Sequence, residues 1–595
     1  MRFPPFLLLF SLVVVTSLWT PVDAAIVINE FLARNDQTID DGDGQSSDWI
    51  ELHNSGATAE SLDGYKLTDD PDDVEVVSLP AATIPAGGYL IVFASGRSET
   101  DGDGNLHVPF NLSGTGEYLA LLAPDGAKTS KFSPAYPKQF TDISYGLGSD
   151  GSLAFFPAPT PGAANSTASF NGIVEDTGFS MDRGLYDVPF DVSISTPTAG
   201  ATIYYTTDGT APSATTGTAY LSPLNVSTTT TLRAIAVKDG FRSTNIDTHT
   251  YIFINDVVKQ PAEIDGYPTD WGTDSEVTTG RVVSDYEMDP EVVNDATQTY
   301  SVAEALRDIP SMSVTLDPDD FLGPRNGIYS HPGSTGAAWE KACSVELIHP
   351  DGTKGFQENC ALVIHGGSSR RPFRMQKHSF RLEFSSEYGA SKLRYPLVPE
   401  SNVEEFNKVV LRACFTDSWG LASWSEARYR PDDSQYIRDV WMKESMLEMG
   451  HPAGHGTFVH LYINGLYWGL YNPSERMDSS FYSDHLGGAR EDWDVIHDFN
   501  ELRSGTKSAW NKLQADARNA ENISDYFALQ GLDPDGTPNP EIQNLINIDN
   551  FIDYMLLHFH ARAEDWPSHN WYAARKSRNG NEGFIFQPWD QEIVL

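Results

Sequence analysis

Residues 551–575, FIDYMLLHFHARAEDWPSHNWYAAR, run from an apolar helical pattern directly into an acid, an amide and two tryptophans. The spacing predicts a helix over IDNFIDYMLLHFHAR, 548–562, that delivers the chain to Asp565. Asn570 follows five positions later in a turn-like sequence. Taken alone, an acid beside tryptophan is more often a capped or ion-paired structural residue than a catalytic one. The elements on either side decide between the two readings.

Downstream, WYAARK and GFIFQPW read as two short strands around the polar turn SRNGNEG, and the second ends at Asp590. Upstream, MSVTLD, GIYSH, CSVELIHP, ENCALVIHGG and HSFRLEF are five strand candidates beginning at Met312. SQYIRDVWMKESMLEMG then places Ile437, Val440, Trp441, Met446 and Leu447 at near-helical spacing and stops at Gly450. TFVHLYINGLYWGLYN is a hairpin whose Asn464-Gly465 suits a type I′ turn. Strands, helix, hairpin, helices, acid, amide, hairpin, acid is the element order of a protein kinase fold. In that fold an Asp accepts the substrate hydroxyl proton, an Asn farther along the loop binds Mg²⁺, and a second Asp after the next hairpin also binds it.

The same half, 310–595, resembles the spore-coat-protein-H (CotH) family of atypical kinases. The resemblance is carried by GGSSRRPFRMQKHSFRLEF, NGLYWGLYNPSERMD, FIDYMLLHFHARAEDWPSHNWYAAR and FQPWDQE, in that order. It implies Asp565 as catalytic base or hydroxyl orienter, Asn570 and Asp590 as Mg²⁺ ligands, and ATP as the phosphoryl donor. It further implies that Lys377 holds the nucleotide phosphates, that backbone N–H groups at Gly366 and Gly367 approach them, and that Glu475 helps set the nucleotide pocket between lobes. An ordinary snorkelling role for Lys377, and surface pairing for Glu475 and Glu444, stay open beside these. The pattern departs from conventional kinases: no complete G-x-G-x-x-G, PWDQE in place of D-F-G, no His-Arg pair before Asp565. Because the chain ends soon after Asp590, the kinase-like domain is expected to be incomplete.

The N-terminal half reads differently. AIVINEFLA, DWIELHN, YKLTD, GGYLIVFAS and EYLALLAP alternate between Gly, Asp, Asn and Pro turns, a β-sandwich pattern over 25–166. INEFLARN, SDWIELHNSG, SLDGYKLTDD and IPAGGYLIVFASG resemble the lamin-tail domain, an immunoglobulin-like module. Residues 171–253 form a second β unit, in which IYYTTDGTAPS and LRAIAVKDG resemble the C-terminal accessory domain of chitobiases and β-hexosaminidases, a non-catalytic module. The polar stretch 254–309 is expected as a linker, so 25–253 is expected to fold without the rest. The expected fold is thus two all-β immunoglobulin-like sandwiches followed by an α+β kinase-like domain.

Residues 1–24 have Arg2, an apolar run from Phe6 to Trp19 and a small-residue exit, which predicts a cleaved signal peptide, a secreted or cell-surface protein and no membrane span afterwards. Export permits disulfides. Cys343 and Cys360 flank two strand-like runs around an Asp-Gly turn, compatible with a bridge that leaves Cys414 free. DDGDGQSSDWIE and DGDGNLH leave open a Ca²⁺ site at Asp41, Asp43 and Asp48 or a solvated acidic loop. His451 and His455 have an i, i+4 offset, but Pro452, Gly454 and Gly456 prevent the helix that would make it a zinc pair.

Forty Lys plus Arg against 83 Asp plus Glu give a net charge of −43, which disfavours nucleic acid and anionic membrane partners. The expected function is phosphoryl transfer from ATP with Mg²⁺ to Ser or Thr hydroxyls of a secreted or surface protein, with the β modules contacting a surface or polysaccharide. The alternative is a secreted surface- or matrix-binding protein whose kinase-like half is inactive.

Overall fold

Alternation in IVINEFL and DWIELHN produces neighbouring antiparallel strands, Ile26–Leu32 and Asp48–Asn54, each with one face in a core. The computed structural model describes residues 26–595 except 73–75, 99, 275–279, 399–400, 422–429 and 579; the expected signal peptide lies outside the described residues. The chain divides into two units, Met1–Val174 with Lys238–Arg242, and Glu175–Val237 with Ser243–Leu595. Among the described residues no helix is long and apolar enough to cross a membrane.

In the first unit a six-stranded sheet, which contains both strands just named, faces a four-stranded sheet. Phe31, Ile50, Leu67, Val92, Leu121 and Phe132 fill the space between them. The Ca²⁺ reading finds no support here. Asp41 and Asp43 are both paired with the Arg97 guanidinium, and Asp41 also accepts the Asp43 and Gln45 N–H groups at 3.0 Å. Protein donors already supply the positive charge. Asp48 accepts Leu112 N–H at 3.2 Å instead.

The second unit begins with a five-stranded sheet whose longest strands are Thr230–Val237 and Asp247–Phe253. This sheet is joined to the C-terminal half by buried polar contacts. Buried Glu346, on the later strand Lys341–Ile348, accepts Thr250 N–H at 3.0 Å and pairs with Arg183 Nε at 3.1 Å, and Thr250 and Ser313 hydroxyls meet at 2.8 Å. The second module of 25–253, expected to fold without the rest, shares this junction with the C-terminal half. The stretch 254–309, expected as a linker, makes contacts of its own. Trp271 and Tyr286 join the neighbouring core, and Gln260 exchanges bonds with the Tyr467 backbone at 2.8 and 3.1 Å.

Seven strands then close into a barrel, in the order Ser311–Leu316, Lys341–Ile348, Gln357–His365, Ser379–Glu383, Lys408–Arg412, Leu466–Glu475, Val459–Ile463. Met312, Val345, Leu362, Phe380, Leu411 and Leu461 fill it. Asn464 (φ 49°) and Gly465 (φ 81°) make the expected hairpin turn. GIYSH, expected as a strand, is a series of turns, because Ile328 and Tyr329 N–H groups bond back to Asp320 and Phe321 carbonyls rather than to a sheet neighbour. Cys343 and Cys360 face each other on adjacent strands as two buried thiols, sulfurs 3.5 Å apart, rather than as a bridge; Cys414 is buried too.

After the barrel a four-stranded sheet, Glu501–Ser504, Trp493–His497, Trp571–Lys576, Ile585–Pro588, packs with a few helices, chiefly Arg438–Glu448, Ser508–Asn519 and Ile548–His560. Met442, Met446, Trp510, Tyr554, Leu557 and Phe586 form their common core. The apolar periodicity of the last helix is thus spent on this core, and its end hands the chain to Asp565.

Candidate functional site

A cleft of about 700 Å³ lies between the barrel and this second half. Gly366, Gly367, Asp565, Asn570 and Asp590 all line it. The structure thereby brings together five of the seven residues singled out from the sequence.

Each is held by its local fold. Gly366 has φ 105°, and a Cβ there would strike Ser369 Oγ, so glycine is required. Arg370 folds back over this loop and donates to the carbonyls of Gly366 (2.7 Å), Pro332 (2.7 Å) and Ser334 (3.1 Å). Beyond the helix Ile548–His560, Trp566 turns inward, stacks on His558 at 4.6 Å and donates its indole N–H to Tyr554 Oη at 2.6 Å. The half-buried tryptophan is the aromatic corner, and the acid beside it opens into the cleft. Asn570 Nδ2 donates to Asp565 Oδ2 at 3.3 Å, and the Asn570 backbone carbonyl accepts from Trp589 N–H (3.1 Å) and Gln591 Nε2 (2.7 Å). Asn570 (φ 67°) and Asp590 (φ 57°) both adopt left-handed backbone, which costs energy outside glycine and clusters at functional sites.

Arg370, Arg374, Arg381, Arg412, Arg476 and Arg503 also line the cleft, six guanidiniums beside the five carboxylates of Asp498, Glu501, Asp565, Asp590 and Glu592, which concentrates arginine here in a strongly acidic protein. His365 shows the resulting potential. Burial, with Arg476, Arg381, Arg412 and Arg370 around it, drives its pKa well below the ordinary histidine range. Arg476 Nη1 is buried with no hydrogen-bond partner among the described residues, the kind of orphan donor an anionic ligand satisfies.

Beneath the cleft lies a network that sequence reasoning missed. Arg412, ending the strand Lys408–Arg412, pairs with Asp590 and Glu592 and with Asp439 at 3.4 Å. Asp439, in the first turn of Arg438–Glu448, also takes Lys443 Nζ at 2.7 Å. Glu592 Oε2 accepts Thr416 N–H at 2.7 Å. Burial would raise Asp439, but Arg412 and Lys443 outweigh it and hold the carboxyl at about 2. Glu592 is pushed up to about 7 by burial and by Asp590, against the pull of Arg412. The available signals were small: an arginine closing the run KVVLR, an Asp-x-x-x-Lys pair on a helix, and an acid two positions after Asp590.

Lys377 and Glu475 are not in the lining. Lys377 precedes its strand, donates to the Leu470 carbonyl at 2.5 Å and lies 4.6 Å from the Tyr471 ring and 5.2 Å from the Tyr436 ring. Burial lowers its pKa to about 8. Glu475 ends the strand Leu466–Glu475 and meets His455 Nδ1 and His485 Nε2, each at 2.9 Å. His451 is bonded to Asp553 at 2.8 Å, apart from its supposed partner.

Comparison with known families agrees with the motifs. Residues 362–595 match the family model for CotH kinase protein. Residues 181–248 match the chitobiase/beta-hexosaminidase C-terminal domain, and 20–134 the lamin tail domain. The three follow one another in the order read from the sequence. No curated protein matches the chain. The CotH match, centred on the region that builds the cleft, points to a kinase-like function.

Proposed function

We propose that the barrel and the following half are two lobes of a CotH-type kinase that acts outside the cell, using ATP and Mg²⁺ to phosphorylate Ser or Thr hydroxyls of a secreted or surface protein. The observation that carries this is the convergence of Asp565, Asn570, Asp590 and the Gly366-Gly367 loop on one arginine-rich cleft within the CotH match. The two β modules are assigned a directing role, through contact with a surface or polysaccharide.

The chain's own groups suit the reaction. An acceptor hydroxyl at Asp565 gives its proton to the carboxylate while its oxygen bonds to the γ-phosphorus and the bond from that phosphorus to the β,γ-bridging oxygen breaks. Asn570 holds Asp565 by its 3.3 Å hydrogen bond and thereby fixes the carboxylate's direction. The phosphate charge is met by cleft arginines, above all Arg476 with its unpartnered Nη1, in place of Lys377. Mg²⁺, when bound by the side-chain carbonyl oxygen of Asn570 and the Asp590 carboxylate, offsets phosphate charge. Positioning and electrostatics supply most of the catalysis.

One feature favours the inactive, binding alternative: Arg412 already occupies Asp590. Incubation of the full chain with γ-labelled ATP, Mg²⁺ and candidate acceptors, beside Asp565→Ala and Asp590→Ala, separates the readings. Transfer by the parent should fall by about 10²–10⁴-fold in Asp565→Ala. Equal transfer by all three proteins would refute the site, and nucleotide binding without transfer by the parent would favour the binder.

A further inference from the structure

We propose that His455, Glu475 and His485 form a binding site for one Zn²⁺ ion, outside the cleft and independent of the kinase reading. The three come from different elements: His455 from the loop before the strand Val459–Ile463, Glu475 from the end of Leu466–Glu475, His485 from the helix Ser479–Leu486. One ligand atom from each lies within 4.8 Å of the others. His455 Nδ1 meets one Glu475 oxygen and His485 Nε2 the other, each at 2.9 Å; ligand atoms on bonds of about 2.1 Å lie roughly 3.4 Å apart around a tetrahedral ion, so binding requires these contacts to open and both imidazoles to gather about the ion with one of the oxygens.

The donor set is specific. Two imidazoles and one carboxylate suit zinc, whereas Ca²⁺ and Mg²⁺ take oxygen ligands. The rings stack at 14° with centroids 5.4 Å apart, aiming His455 Nδ1 and His485 Nε2 at the same carboxylate. Glu475 is nearly fully buried, and its position is fixed independently by the His455 N–H at 2.9 Å and by the Glu475 N–H to the His455 carbonyl at 3.0 Å. A cavity of about 30 Å³ beside Glu475 and His485 has room for one water, the fourth ligand of a three-residue zinc site. The ion would tie strand, loop and helix together and hold the backbone of Arg476, the next residue, at the cleft wall. Its role is therefore positional, not catalytic.

The competing account is a His–Glu–His hydrogen-bonded cluster that needs no metal. Full-length protein without a histidine tag is stripped with chelator, reloaded with Zn²⁺ or Co²⁺ and assayed for bound metal, melting temperature and the visible spectrum of Co²⁺. The parent should bind one equivalent, melt higher with zinc and show a tetrahedral Co²⁺ spectrum. His485→Gln can still donate to Glu475, so it should fold yet lose zinc affinity by more than the roughly 10–100-fold that loss of a residue merely supporting a ligand costs. His455→Ala/His485→Ala should lose the equivalent and the zinc-dependent melting shift. A folded parent that binds no more zinc than this double variant, or a His485→Gln protein with unchanged affinity, overturns the proposal.

Discussion

Glu30 and Glu51 in the N-terminal sandwich and Asp439 and Glu592 beneath the cleft are all buried carboxylates, but their partners differ. Glu51 accepts from Asn29 Nδ2 (2.7 Å) and the Gly162 N–H, and Glu30 from Ser144 and Thr160. These are neutral donors, and burial pushes Glu51 up to about 7 and Glu30 upward as well. Asp439 and Glu592 instead share Arg412, with Lys443 also on Asp439. Hydrogen bonds to neutral groups let a carboxyl take up a proton and serve as a structural pin. On Asp439 two cations outweigh burial and keep the negative charge in place at low dielectric, whereas Glu592, with only a share of Arg412 and with Asp590 beside it, is raised to about 7 like Glu51.

The harshest test of that contrast removes the shared cation. Arg412→Ala leaves buried Glu592 without its cation, Asp439 with Lys443 alone and half-exposed Asp590 facing both, and should destabilise the C-terminal unit by ~3–5 kcal/mol through the buried charge left uncompensated. Urea unfolding followed by the tryptophans of that unit measures it. A loss under about 1 kcal/mol, the range of exposed ion pairs, would mean the network is far better solvated than its burial indicates.

A gentler test uses pH. Glu51 has a folded pKa above its ordinary value of 4.5, so the folded sandwich holds its proton longer than the unfolded chain does. Glu51's contribution to sandwich stability should therefore be fully present below about pH 4.5 and be lost as pH rises towards about 7, by on the order of 2 kcal/mol after allowing for nearby solvent. Asp439, held at about 2, stays ionised across this window and adds no slope. Hydrogen exchange at Leu52 and Val92, corrected for intrinsic rates, should show more protection at pH 5 than at pH 8, and Glu51→Gln should reduce the difference, the remainder coming from Asp48, raised to about 6, and from Glu30, also raised. An undiminished slope in the variant would break the assignment.

How much of the fold and site is readable from sequence depends on distance along the chain. The helix 548–560 and the Asn464-Gly465 turn were legible because periodicity and turn chemistry are local, and motif order singled out Asp565, Asn570 and Asp590, which the fold places on one cleft. Arg412 meeting Glu592 spans 180 positions, and nothing near either residue announces the other. GIYSH misled because its apolar pair is buried as a strand's would be, while its N–H groups turn back to the preceding helix. Residues 254–309 read as polar because their apolar residues are scattered, yet Ile254, Val257, Trp271, Val282, Tyr286 and Leu306 all pack into neighbouring cores. His455 was weighed against His451, its neighbour in sequence, when Glu475 and His485 were its neighbours in space.

Lys377 gives the smallest expected effect and the sharpest check on sequence analogy. A phosphate-binding lysine should present its ammonium to the cleft, yet this one is committed to the Leu470 carbonyl and to the faces of Tyr471 and Tyr436. Burial holds its pKa at about 8, so near neutral pH it remains mostly charged and keeps those contacts. Lys377→Met preserves the stem and removes the charge, and should cost about 1 kcal/mol of stability through the lost hydrogen bond and cation–π contacts. Nucleotide affinity should change by less than about threefold, or ~0.6 kcal/mol. Arg476→Met, which removes the buried orphan donor from the cleft wall, should weaken it by about tenfold or more. Calorimetric titration of ATP into both folded variants decides the order: a larger loss in Lys377→Met than in Arg476→Met would return the phosphate role to the lysine and show that the side chain swings into the cleft when nucleotide arrives.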